Sequence, residues 1–123
     1  PSGLLSPQMH GEPFLVSERN VRYIKAKRVI GIWCYASSFA KSVNLNGFFS
    51  SMFISNPIEA HINDCTRSDA ATITREEILF GQRLHQLIAS DTPMSEWKDK
   101  LIDQADMSID VVRFNYKGLT YLG

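Results

Sequence analysis

The pattern of apolar and polar positions is organised around residues 28–35, RVIGIWCY, the one run that is apolar on both of its alternating faces. Val29, Ile30, Ile32, Trp33, Cys34 and Tyr35 leave no side for water, which predicts an interior strand covered above and below. The run stops at Ala36, Ser37 and Ser38, where two hydroxyl side chains are placed to accept from the free amides of a helix start. Phe39, Ala40 and Val43 share one side of that helix, and Asn46-Gly47 ends it, because glycine takes left-handed backbone cheaply. A second apolar run, residues 48–55 with Met52, Phe53 and Ile54, closes at Asn56-Pro57. Strand, helix and strand in that order predict a βαβ unit with a parallel pair. The competing reading is an Asn46-Gly47 hairpin joining Leu45 to Phe48.

Upstream, residues 1–13 mix Pro, Gly, Ser and His and read as an irregular arm, and residues 14–16 as a short strand. Residues 21–27, VRYIKAK, fit an edge strand guarded by lysines or a short helix with Val21, Ile24 and Lys25 on one face. Downstream, Pro57 begins a short helix that breaks in a polar loop over residues 63–71. Thr74 and Glu77 have capping-box spacing, with Ile73 and Ile78 as a hydrophobic staple. Phe80, Leu84, Leu87 and Ile88 then form a core stripe, leaving Arg75, Glu76 and Arg83 outside. After the break at Ser90, Asp91 and Thr92, Pro93 opens a second amphipathic helix with Met94, Trp97, Leu101 and Ala105 inside. Met107, Ile109 and Val111 alternate with Ser108 and Asp110, and turn chemistry at residues 115–118 precedes residues 119–122, so the chain is expected to close in a β-hairpin. The fold class that follows is α/β or α+β. A single compact domain over residues 1–123 is expected, with a small mixed sheet, a βαβ unit, two amphipathic helices and a C-terminal hairpin.

Composition narrows the function classes. With 44% hydrophobic residues in 123, the chain can bury a core without metal or disulfide staples. Thirteen basic and thirteen acidic residues cancel, so no global field draws the protein to nucleic acid or membrane. The cancellation conceals a segregation: Arg19, Arg22, Lys25, Lys27, Arg28 and Lys41 occur without an acid between them, whereas residues 59–106 hold ten acids and five bases. Charges interrupt every apolar segment, so no membrane span is expected, and residues 1–13 lack the form of a signal peptide. Cys34 and Cys65 have no short spacing and read as reduced thiols of a cytoplasmic protein. The want of a motif tied to any family suggests a fast-diverging viral or effector protein, with a virion as the second expected location.

Candidate chemistry is sparse. Cys34, at a strand end before a helix, is where helix amides favour a thiolate. Residues 34–40, CYASSFA, resemble the Cys-Trp-Ala segment of papain-like proteases. Position 28 is Arg where those enzymes carry a glutamine for the oxyanion, and 123 residues are too few for their two-lobed fold. A small cysteine-dependent hydrolase using Cys34 with His61 or His85 is therefore the alternative function. A core cysteine followed by a helix is the preferred one. His10, His61 and His85 have no partner at ligand spacing, so no metal is expected, and the absence of GxGxxG or Walker spacing around Gly31 argues against a nucleotide cofactor. Ser37 and Ser38, with Lys41 one turn on, form a candidate anion site.

Binding readings rest on more residues. The basic stretch interleaves Tyr23, Trp33 and Tyr35, and the expected hairpin adds Arg113, Phe114, Tyr116, Lys117 and Tyr121, a set suited to phosphates and base stacking in RNA. The candidate nucleic-acid contacts are thus Arg19, Arg22, Lys25, Lys27, Arg28, Lys41, Arg113, Tyr116 and Lys117. A basic segment and an acidic half on one neutral chain also suit a protein partner or a second copy. The expected function is a non-enzymatic assembly module, self-associating as a homodimer, with RNA contact in addition and without cofactor or membrane.

Overall fold

The computed structural model describes residues 29–123. The arm, the short strand at 14–16 and the strand or helix at 21–27 expected from sequence lie outside the described residues. The described chain falls into two compact units: one runs to Phe53 and takes back Gly118–Gly123, and the other is Ile54–Lys117.

The first unit carries the sheet. Strand β1 (Val29–Gly31), helix α1 (Ala36–Ser42) and strand β2 (Gly47–Phe49) follow one another, and β1 pairs parallel to β2 with Val29 opposite Gly47 and Gly31 opposite Phe49. This is the expected crossover, and the parallel pairing replaces the Asn46-Gly47 hairpin. Strand β3 (Thr120–Leu122) pairs antiparallel on the other side of β2, giving the order β1-β2-β3 and a mixed sheet. The strands are shorter than the apolar runs suggest. After Gly31 the chain turns: Tyr35 has φ 63, the Ala36 N–H donates to Trp33 O, and the Tyr35 N–H donates to Ser51 O. The apolar residues beyond Gly31 fill the core from a turn, as Trp33, Ala36, Ala40 and Phe49 pack together with Val29, Phe39, Leu45 and Leu122.

Two local expectations are corrected here. Tyr35 occupies the N-cap of α1 without a side-chain bond, so Ser37 and Ser38 do not cap it. At the other end Asn44, with φ 58, takes the left-handed position expected of Gly47, which instead begins β2.

The second unit is helical. In α2 (Pro57–Ile62) Pro57 stands at the first turn and the Asn56 side chain accepts from the Glu59 N–H, as that sequence demands. Helix α3 (Ala70–Ala89) starts four residues before the expected cap, because Asp69 accepts from the Thr72 N–H at 2.8 Å. Thr74 and Glu77 are therefore interior to it. Its buried stripe is Ile73, Glu76, Phe80, Leu84 and Leu87, so Glu76 lies inside and Ile88 outside, the reverse of the expectation. Beyond Pro93 a 3-10 turn (Met94–Glu96) leads into α4 (Trp97–Gln104), which packs against α3 and buries Trp97 and Leu101. The Trp97 indole N–H donates to Thr92 O at 2.8 Å, tying the helix to the break before it.

The expected C-terminal hairpin is overturned, because Asp110–Lys117 is helix α5. Val111, Val112, Asn115 and Tyr116 are all buried, which is helical and not alternating spacing. Alternation upstream misleads because Met107 and Ser108 sit in a turn, where Asp106 accepts from the Ser108 N–H and hydroxyl. Asp110 begins the helix: buried, it accepts from the Ser68 hydroxyl, the Arg67 N–H and the Val111 N–H. A core of Ile54, Ala60, Cys65, Ile73 and Val111 lies around this join. Desolvation acts to raise the Asp110 pKa, but the bonds from Ser68, Arg67 and Val111, with the Arg113 charge, outweigh it and hold the carboxyl below its ordinary value.

A carboxylate with a folded pKa below its unfolded one adds stability that is complete above the unfolded value, about 3.9, and vanishes as pH falls through the folded value. Urea midpoints should therefore drop on acidification below about pH 5. Asp110→Asn should be less stable at neutral pH and show a shallower acid slope than the parent. An unchanged slope would exclude Asp110 as a source of the acid sensitivity.

Candidate interaction surfaces

The residues expected to touch nucleic acid divide sharply. Arg19, Arg22, Lys25, Lys27 and Arg28 lie outside the described residues. Lys41 is exposed in the last turn of α1. Arg113 and Lys117 are exposed on α5, where an Arg113 Nη1 donates to Met107 O at 2.9 Å and the Lys117 carbonyl accepts from Lys98 Nζ at 3.0 Å. Tyr116 is 2% exposed, with its ring edge-on to Phe80 at 5.4 Å between centroids and its hydroxyl accepting from Arg83 Nη1 at 2.9 Å. Its face is thus closed to a base. Burial pushes the Tyr116 hydroxyl pKa up, against the opposing effect of Arg83.

One donor of the candidate anion site is already engaged. Ser37 is buried and its N–H donates to Ser50 O at 2.8 Å, while Ser38 is exposed on a helix of only seven residues. A phosphate there would find that amide already engaged. Cys34 is half-buried, with Sγ 4.0 Å from Phe53 O. Cys65 is buried, and desolvation first, then the charge of Asp110, push its thiol pKa up, away from a nucleophilic thiolate. His61 and His85 are exposed on α2 and α3. Among the described residues no group of three His, Cys, Asp or Glu side chains is placed to hold a metal ion.

What the sequence pattern missed is apolar surface facing water. Of the ten isoleucines among the described residues, four are exposed: Ile58 at 73%, Ile62 at 72%, Ile78 and Ile88. All four belong to Ile54–Lys117. On α2 the buried residue is Ala60, and two steps of 100° either way put Ile58 and Ile62 side by side on the far side of the helix. On α3 a shallow groove is lined by Ala70, Ala71, Thr74, Arg75, Ile78, Leu79 and Gln82. Scattered single apolar residues need no explanation, but the adjacent Ile58 and Ile62 of α2 are surface that association would remove from water. The available signal was a period-3.6 surplus, with isoleucines on both sides of a helix that needs only one. Electrostatically this unit is acidic, with eleven acids and seven bases over residues 54–117. Burial, and then the nearby Glu59 charge, raise the Glu77 pKa within it.

No family model matches the chain, and comparison with curated proteins and with solved structures finds no match either. The class defined by these observations is a small mixed α/β protein whose described helices α2 and α3 carry four exposed isoleucines. No described helix is long and apolar enough to cross a membrane.

Proposed function

We propose that the chain is a non-catalytic assembly module that associates with itself, and that its basic stretch from Arg19 to Lys41 adds contact with RNA. The observation that carries the first part is the set of exposed isoleucines at 58, 62, 78 and 88. Burying one such side chain contributes roughly 1.5–3 kcal/mol, so several together favour association at working concentrations. The RNA part rests on charge order: six bases without an intervening acid on a chain whose total charge is zero. Both cysteines are free thiols, which suits a reducing compartment, and the proposal places the module in the cytoplasm.

The two parts respond oppositely to salt. Self-association through isoleucine surface should persist or strengthen as salt rises, whereas RNA held by the basic stretch should dissociate steeply, log K falling linearly with log salt. Light scattering across protein concentration at two salt levels, with an RNA titration followed by NMR, measures both. A monomer at millimolar protein removes the assembly reading, and RNA shifts that are absent or insensitive to salt remove the RNA one.

A further inference from the structure

Resting on the assembly reading above, we propose that two copies pair through the outer face of α3, antiparallel about a two-fold axis at its midpoint. At 100° per residue the buried residues Ile73, Glu76, Phe80, Leu84 and Leu87 occupy one side of this helix. About 130° round the helix from that stripe, Ala71, Thr74, Ile78, Gly81, His85 and Ile88 recur at steps of three, four, three, four and three, the spacing of a coiled-coil seam. All six are exposed, Ile78 at 56% and Ile88 at 50%. The groove along Ala71, Thr74 and Ile78 runs on this face.

The order of sizes along the seam selects the occupant. Its spacing reads the same in both directions, so a second copy running the other way matches it position for position. Antiparallel pairing sets Ile88 against Ala71, Ile78 against Gly81, and His85 against Thr74: large on small twice, polar on polar once. Gly81 supplies the hollow, since a Cβ built there meets nothing within 4 Å. Parallel pairing would set Ile78 on Ile78 and leave Gly81 facing Gly81 across a void. His85 is the one titratable residue in the seam, and Arg75 and Glu77 flank it: the two copies of Arg75 stand about 13 Å apart along the axis, beyond a Debye length of about 8 Å, and the two copies of Glu77 about 7.5 Å apart. The opposed helix dipoles also place each N-terminus beside a C-terminus. A seam from residue 71 to 88 is about 26 Å long and covers on the order of 500 Å² per copy, about 1,000 Å² in all. That is the size of a weak, transient interface.

The test is sedimentation equilibrium of the full chain and three variants, each checked for fold by circular dichroism. Ile78→Glu, at an exposed seam position, should weaken dimerisation by about tenfold or more, while Ile58→Glu on α2 leaves it unchanged. Gly81→Gln separates the pairing from simple stability. It replaces an open helical glycine with a good helix former, so the variant should melt at a higher temperature yet dimerise about tenfold more weakly. A chain carrying both Ile78→Cys and Gly81→Cys should cross-link to a covalent dimer under mild oxidation. If the parent dimerises but Ile78→Glu and Gly81→Gln leave its constant unchanged, or only Ile58→Glu weakens it, the seam is wrong and self-association stands. A parent that remains monomeric overturns both.

Discussion

Replacing Gly47 by alanine is expected to separate β1 from β2 and cost the protein about 4 kcal/mol, among the largest effects of any single methyl group in the chain. Gly47 begins β2 with φ 151, a backbone region that L side chains rarely occupy, and it pairs directly with Val29. A Cβ built on it would lie 1.8 Å from Val29 O and 2.7 Å from Val29 N. Those atoms are backbone and cannot rotate away, so the strands must part. Parting them releases the Val29 N–H from Asn46 O, a 2.9 Å bond, and disturbs the packing of Val29 with Phe49 and Trp33. The measurement is a urea melt followed by tryptophan fluorescence. A midpoint within experimental error of the parent would mean that the parallel pair is not as close as described.

Asn115→Ala is expected to cost about 3 kcal/mol through a different mechanism. Asn115 is buried, and its side-chain amide pairs with a single residue: Oδ1 accepts from the Ile54 N–H at 2.7 Å, and Nδ2 donates to Ile54 O at 3.1 Å. The side chain thus does for Ile54 what a neighbouring strand would do. Alanine leaves a buried N–H and a buried carbonyl without partners, each costing about 1–3 kcal/mol, and opens a small cavity. Asn115→Asp sharpens the test. An ionised carboxylate still accepts from the N–H but faces the carbonyl with its charge, whereas a protonated one restores both bonds. The aspartate variant should therefore gain stability relative to Asn115→Ala as pH falls toward 4, since its folded pKa is raised and its neutral form is the one that fits. Parallel pH profiles for the two variants would refute the pairing.

These two sites show why some of the structure was legible in the sequence and some was not. Gly47 reads as punctuation at a helix end, because Asn-Gly chemistry serves several turns alike and a distant strand decides among them. Asn115 read as turn chemistry, since asparagine favours turns and nothing local reveals a partner 61 residues away. The same holds for Asp110, expected on the outer side of a strand and found buried at the start of α5 with Ser68 and Arg67 around it. Among candidate contacts, Lys41, Arg113 and Lys117 are as exposed as their charge implies, whereas Tyr116 is buried against Phe80. Charge has one preferred environment. An aromatic ring has two, and packing chooses between them.

Sequence alone indicated a small α/β or α+β fold, the Pro57 helix start and the long amphipathic helix, because each follows from period and turn residues within a few positions of one another, and it left the βαβ start open against an Asn46-Gly47 hairpin. Tertiary structure decided how far the strands run, that residues 110–117 coil and do not pair, and which isoleucines stay in water. Those outcomes depend on whether the partner that satisfies a backbone amide or covers a side chain is present in space, and contacts made across dozens of residues leave no local trace.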